Sequence, residues 1–232
     1  MLEEPPILTI HTGAPRPTPA QIEAFRGALT GNVCDAMAGG GGMHAAIAPV
    51  GGIRDPSVHV VGVALVADNG AAEVLATSAA ATLAQPGDVI VAGVDGWQGC
   101  AACGDLFLGM MKNNGAAGFV TDGPMRDLQG VLEVGLPAWC TGLTPNSPYG
   151  KGPGSVGGAA VVGGVQVATG DLIVADCSGV VVVPFARIDE VIAALQAVKA
   201  AEASVDAKVR AGFGEALDIG AMLADGRAVE VG

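Results

Sequence analysis

The sequence predicts one layered α/β domain with an N-terminal arm and a C-terminal helical arm. Three observations lead there. Short Val- and Ala-rich runs are joined sometimes by helical stretches and sometimes by tight turns, which favours stacked layers over a regular doubly wound sheet. The chain has 232 residues, of which 50% are apolar, only 3% are aromatic and 37 are glycine. That composition builds a core from Ala, Val, Leu and Ile with many sharp turns, in a chain too short for two full domains. Finally, the apolar run 180–183 leads into a long Ala-rich helical pattern. The expected boundaries are an arm over 1–17, the domain over 18–185, and a helix and tail over 186–232 that pack at a subunit interface.

The elements follow in order. Residues 1–17 are Pro-rich and read as a surface arm. Thr18 followed by Pro19 is a strong helix start, a capping hydroxyl before proline at the first helical position. That helix is expected to reach about Leu29. Thr30 can cap a second short helix, stopped by the glycine run 39–42. The run lacks the Lys-Ser/Thr and the preceding strand of a phosphate loop. Residues 58–67 read as a buried strand, 71–84 as a helix, 89–92 as a strand and 93–103 as a Gly-rich loop. A helix over 106–113 ends at Asn114-Gly115. Strands are expected at 118–121 and 137–140, with a short helix over 127–134 between them. Residues 141–157 read as loop, and 159–168, 171–175 and 180–183 as strands. The last helix spans 186–211. Pro86-Gly-Asp-Val-Ile-Val-Ala returns as Thr169-Gly-Asp-Leu-Ile-Val-Ala, which reads as two turns feeding buried strands rather than a duplicated domain.

Composition excludes several functions. With 11 basic and 23 acidic residues the net charge is −12. Nucleic acid is therefore not an expected partner, because its phosphates need clustered Lys and Arg. A basic protein surface remains compatible. The opening MLEEPPILTI has acids and prolines where a secretory signal needs positive charge and an apolar run. No 18-residue stretch stays apolar, so no membrane span is expected. Five cysteines, at 34, 100, 103, 140 and 177, do not read as a disulfide framework. The expectation is a reduced, cytoplasmic protein.

The informative stretch runs from Gly104-Asp105-Leu106-Phe107 to Arg126-Asp127, with twenty residues between Asp105 and Arg126. The first segment lies at an expected helix start, whose free N–H groups and dipole favour a carboxylate. The second lies just past a strand end, where α/β proteins place ligands. Arg126 can hold a carboxylate with two parallel hydrogen bonds, and Asp127 offers a hard oxygen suited to Mg²⁺ or Mn²⁺. Spacing alone fits a capping Asp and a surface Arg–Asp pair at least as well.

Several stretches resemble the RraA-like family, which includes the 4-hydroxy-4-methyl-2-oxoglutarate/4-carboxy-4-hydroxy-2-oxoadipate aldolases. They are Thr30-Gly-Asn-Val-Cys-Asp-Ala-Met, Pro86-Gly-Asp-Val-Ile-Val, Gly104-Asp-Leu-Phe, Asp122-Gly-Pro-Met-Arg-Asp, Gly135-Leu-Pro-Ala-Trp, and Gly170-Asp-Leu-Ile-Val-Ala-Asp-Cys-Ser-Gly-Val-Val-Val-Val-Pro. The resemblance implies a β/β/α sandwich similar to swivelling phosphohistidine domains. It implies a divalent-metal-dependent aldolase that cleaves a 4-hydroxy-2-oxo di- or tricarboxylate to pyruvate and a second oxo acid, in aromatic-compound degradation, with oxaloacetate decarboxylation as a side reaction. In that reading the backbone amides of Gly104, Asp105, Leu106 and Phe107 hold the pyruvyl group together with Arg126. Asp127 binds Mg²⁺ or Mn²⁺ largely through waters, and Asp105 orders a metal-bound water. Glu202, on a neighbouring subunit's C-terminal helix, completes the site of a homotrimer or of a hexamer made of two trimers. Such aldolases carry an acid three positions after the motif Asp, where this chain has Gly130, so one carboxylate near the metal is missing. The family also contains regulators that bind and inhibit RNase E, and this is the alternative function.

Other constellations read as structural. Cys100 and Cys103 have no second pair and no nearby His for zinc. His44 reads as a structural histidine that could also line a cleft, the pair Arg54-Asp55 as a turn, and Trp97 as packing that could wall a pocket. Apart from Lys112 the motif region has no lysine, so a Schiff base is not expected.

Overall fold

A computed structural model describes residues 6–52 and 55–231 and divides into two compact units, Met1–Leu195 and Gln196–Gly232. The first unit opens with β1 (Leu8–Ile10), α1 (Pro19–Ala24), α2 (Thr30–Ala36), β2 (Ala48–Pro49) and β3 (His59–Asp68). Then follow α3 (Leu75–Leu83), β4 (Asp88–Gly93), α4 (Asp105–Asn113), β5 (Gly118–Thr121), α5 (Leu128–Val134) and β6 (Ala138–Cys140). It closes with β7 (Gly154–Val156), β8 (Ala159–Val162), β9 (Val165–Ala168), β10 (Leu172–Asp176) and β11 (Val180–Val183). Helix α6 (Ile188–Arg210) begins in this unit and continues into the second, which also holds α7 (Ile219–Ala224).

Strand β3 organises the sheet. It pairs in parallel with β4, from Val63↔Asp88 to Asp68↔Gly93. Its first half pairs antiparallel with β10. Strands β4, β5 and β6 continue in parallel, with α3, α4 and α5 as the crossovers. The strand order is β1-β7-β3-β4-β5-β6-β2. Strand alternation then sorts two cores. Ile90 and Ala92 pack with Ala76, Ala80, Leu108 and Val131 of the helices. Val89 and Val91 face the other way, toward Val162 and Val167 of the β8–β9 hairpin and the fully buried Trp139. Hairpin, sheet and helices are the β/β/α layers that the family resemblance implies.

Local chemistry sets the element ends. Thr18 caps α1 and forms a full capping box with Gln21, but the helix stops at Ala24, earlier than expected. Thr30 is not a cap. It sits inside α2, and both its N–H and its hydroxyl donate to the Asp176 carboxylate at 2.9 Å. Helix α3 starts at Leu75, later than expected, because the Glu73 carboxylate takes the N–H groups of Val74 and Leu75. The run 159–168 is a hairpin, not one strand. It reverses at Gly163 and Gly164, with φ of +57° and +78°, a backbone that L side chains resist. Residues 8–10 of the expected arm and 154–156 of the expected loop pair as parallel strands, and the latter also pairs antiparallel with the end of β3. The two Gly-Asp turns behave as expected, since Asp88 and Asp171 are buried and accept backbone N–H groups of their own turns.

Candidate active site

The crossover topology brings the two ends of the Asp105–Asp127 stretch together. Gly104 caps α4 in extended conformation, φ −136° and ψ −177°, and Asp105 is the first helical residue. The Asp105 side chain accepts the Leu106 N–H at 2.7 Å. The N–H groups of Asp105 and Phe107 have no acceptor among the described residues, as a helix start leaves them. Across from them, the fully buried Met125 is bridged to Cys103 on one side and Leu143 on the other. The Arg126 N–H donates to the Cys103 carbonyl at 3.1 Å. These bonds deliver Arg126 and Asp127 to the α4 N-terminus. A Cβ added to Gly104 would lie 2.7 Å from Asp127 Oδ2 and 3.3 Å from Arg126 Cγ and Nε. The result is a cleft of about 340 Å³. Gly104, Asp105, Leu106, Phe107, Arg126 and Asp127 all line it, so these six expected site residues share one cavity.

An ion pair and a hydrogen bond restrain the guanidinium. Arg126 Nε lies 3.1 Å from Asp127 Oδ2, and Nη1 donates to Ser147 Oγ at 2.8 Å. Asp127 is at the N-terminus of α5 in the left-handed region, φ +59° and ψ 42°, yet its side chain makes no capping bond. Asp tolerates that conformation better than most residues. Its carboxylate turns to Arg126 instead, and Oδ1 has no partner among the described residues.

Gly130 has a steric reason in this chain. A Cβ there would overlap Asp105 Oδ2 and lie 2.8 Å from Asp105 Cβ and Cγ. A side chain on α5 and the observed Asp105 carboxylate are alternatives for the same space. Asp105 occupies the place beside which the missing acid would stand.

Other expected residues lie elsewhere. Glu202 is on the exposed part of α6, in the second unit. Trp97 is half exposed and does not line the cleft. The Lys112 ammonium donates to the Val134 carbonyl, so it does not serve the cleft. Cys100 and Cys103 are buried free thiols, and burial pushes the Cys103 thiol far above its ordinary value, which makes it inert. His44 Nδ1 accepts the Ala46 N–H at 3.1 Å, a turn role. Asp55 caps Ser57, while Arg54 lies outside the described residues. Burial and the carboxylates of Asp95 and Asp122 raise the Asp68 pKa; these three acids stand at the ends of β3, β4 and β5 without lining the cleft.

Sequence reading missed Ser147, in a segment taken as plain loop, and Glu73, taken as part of a helix. No local motif marks either, because both act on partners far along the chain.

The donor set suits a hard cation. Asp127 and Asp105 supply carboxylate oxygens on one cleft, and Mg²⁺ takes one or two carboxylates while keeping several waters. Among the described residues no group of three or more His, Cys, Asp or Glu side chains is placed to hold an ion.

The RraA-like family model, described as Aldolase/RraA, matches residues 30–182. A relative from Halalkalibacterium halodurans, provisionally named 4-hydroxy-4-methyl-2-oxoglutarate aldolase, is 35% identical over 190 residues, 82% of this chain and 87% of the relative. A structure from Pseudomonas syringae pv. tomato is similar with a TM-score of 0.76 and 26% identity, covering 88% of this chain and 94% of that one. A Streptomyces coelicolor structure, described as an unusual member of the RNase ES inhibitor RraA family, is similar with a TM-score of 0.69 and 26% identity, covering 84% of this chain and all of that one (100%).

Proposed function

Because the chain belongs to the RraA-like family, we propose that it is a carbon–carbon lyase, a divalent-metal-dependent class II pyruvate aldolase. Its substrates are 4-hydroxy-2-oxo di- or tricarboxylates such as 4-hydroxy-4-methyl-2-oxoglutarate and 4-carboxy-4-hydroxy-2-oxoadipate. The observation that carries this reading is the Arg126–Asp127 pair held against the open N-terminus of α4 in one cleft.

Retro-aldol cleavage removes the proton of the 4-hydroxyl, breaks the C3–C4 bond, and leaves a carbonyl at C4 and the enolate of pyruvate, which is then protonated at C3. The C1 carboxylate lies against the N–H groups that open α4 and takes hydrogen bonds from Arg126. Arg126 also stabilises charge that develops on the enolate oxygen. Asp105 orders the water that relays the 4-hydroxyl proton. Asp127 is the residue that would hold Mg²⁺ or Mn²⁺, and such an ion supplies Lewis-acid stabilisation of the enolate. A Schiff-base route lacks a lysine, since none lines the cleft. The same enolate chemistry would decarboxylate oxaloacetate. Glu202 of a neighbouring subunit completes the site in a trimer or a dimer of trimers, in a reduced cytoplasmic setting.

Pyruvate release from both substrates, with and without EDTA, tests the reading. EDTA-sensitive release is expected. The alternative is a regulator that binds and inhibits RNase E, favoured by the net charge of −12 and by the Streptomyces coelicolor likeness. Absent release at high protein concentration, together with inhibition of RNase E, would select that alternative.

A further inference from the structure

We propose that Glu73 and Ser147 are positioning residues for Arg126: Glu73 pins the 144–152 loop to the start of α3, and the Ser147 hydroxyl on that loop sets the guanidinium in the cleft. What Arg126 then binds rests on the pyruvate-aldolase reading.

Glu73 is buried, 8% exposed, and its carboxylate meets backbone rather than a cation. Oε1 accepts the N–H groups of Val74 at 2.8 Å and Leu75 at 2.9 Å. Oε2 accepts those of Lys151 at 3.0 Å and Gly152 at 2.9 Å. One oxygen thus serves the α3 start and the other serves the loop. Burial alone would raise the carboxyl pKa, but these four N–H groups together hold it below the ordinary value. The charge therefore persists, and a buried carboxylate with four donors is a strong tie. Two backbone bonds extend it, Tyr149 N–H to Ala72 carbonyl at 2.8 Å and Val74 N–H to Tyr149 carbonyl at 3.0 Å.

The other end of the loop is tied to the site itself. The Thr144 N–H donates to the Met125 carbonyl at 2.9 Å, and the Ala101 N–H to the Asn146 carbonyl at 3.0 Å. Asn146 Nδ2 donates to the Gly99 carbonyl at 2.9 Å. Ser147 stands between the two anchored ends, with Oγ 2.8 Å from Arg126 Nη1. A half-exposed arginine otherwise samples many rotamers, and fixing it on binding costs side-chain entropy. An ion pair with Asp127 Oδ2 on one side and the hydrogen bond to Ser147 Oγ on the other hold the fork before substrate arrives.

The test uses the full chain with Mg²⁺. Pyruvate and oxalate binding are measured by calorimetry, and pyruvate release from 4-hydroxy-4-methyl-2-oxoglutarate by steady-state kinetics. Ser147→Ala alters an exposed loop side chain and should keep the wild-type melting temperature. It should weaken pyruvate binding and raise KM by about tenfold, the effect of one lost charge-assisted hydrogen bond. Ser147→Thr, which keeps the hydroxyl, should restore both. Glu73→Gln should lower the melting temperature and, below its transition, raise KM to a similar extent. The double variant should be no worse in KM than Glu73→Gln within about twofold, because coupled residues are not additive. Fully additive KM effects, or wild-type binding by Ser147→Ala, overturn the proposal. Wild-type protein that binds pyruvate but releases none overturns only the aldolase reading, and the binding arm still decides the positioning role. Wild-type protein that binds neither probe overturns both.

Discussion

Gly104→Ala separates the site from the fold. Gly104 is in extended backbone, φ −136°, which alanine adopts without strain. The added Cβ would lie 2.7 Å from Asp127 Oδ2. That atom is the far end of a side chain that is 43% exposed, so the carboxylate can swing away into solvent. The fold should lose little, below about 1 kcal/mol, partly offset by the lower entropy of the unfolded alanine chain. For a chain of this size that is a shift of at most about 2–4 °C in melting temperature. Activity should fall much further. Swinging Asp127 breaks its 3.1 Å contact with Arg126 Nε, and the methyl group occupies the space where a carboxylate meets the start of α4. Losing one charge-assisted hydrogen bond, about 1.5–3 kcal/mol, lowers kcat/KM by about 10- to 150-fold. Thermal unfolding by circular dichroism and pyruvate release coupled to lactate dehydrogenase measure the two sides. A kcat/KM within about twofold of wild type, a difference too small for a lost charged contact, would refute the placement of the carboxylate at Gly104.

Gly130→Ala meets the root of the Asp105 side chain, with Cβ 2.8 Å away, so α4 and α5 must part; denaturant unfolding should show a loss of about 1–3 kcal/mol. Arg126→Lys keeps the charge and loses the fork, and kcat/KM should drop at least about tenfold; near-wild-type kinetics would mean that Arg126 does not hold the carboxylate. Asp127→Asn tolerates the left-handed backbone but removes the charge, so calorimetric titration should show Mg²⁺ or Mn²⁺ affinity lost with the melting temperature unchanged; retained affinity places the metal elsewhere. Mixing inactive Glu202→Ala with inactive Arg126→Ala under subunit exchange should restore part of the activity if neighbours share a site. No recovery despite demonstrated exchange leaves Glu202 as a helix surface residue.

The parts of this protein that periodicity and turn chemistry control were legible in its sequence. The parallel strands β4 and β5 announce themselves as short β-branched runs between Gly-Asp or Asn-Gly turns, and Thr18-Pro19 marks the start of α1 to the residue. Strands β1 and β7 were not legible, since each is three residues long and its pairing partners, β7 for β1 and β1 and β3 for β7, lie far along the chain. The β8–β9 hairpin was legible in principle: Gly163-Gly164 between β-branched runs is a hairpin signal, outweighed here by the continuous apolar pattern around it. At the site, Asp105, Arg126 and Asp127 stand within one motif-bearing stretch. Ser147 and Glu73 do not, because their partners are 21 residues away in the case of Arg126, and 78 and 79 residues away in the case of Lys151 and Gly152. Such ties follow from topology, not from any local pattern.

Two glycines argue that the cleft is more than a by-product of folding. Gly104 sits in a backbone conformation open to every residue, and an added Cβ there would press on side chains rather than on backbone. The atoms that exclude it are Oδ2 of Asp127 and Cγ and Nε of Arg126. Gly130 lies within α5, where glycine costs about 0.5–1 kcal/mol relative to alanine. The atoms that exclude a Cβ there belong to Asp105. In both places the backbone carries no side chain, and the space goes to a charged group of the same cavity. A surface used only to bind a partner protein has no need of either vacancy, whereas a site that must bring Asp105, Arg126 and Asp127 to the start of one helix needs both.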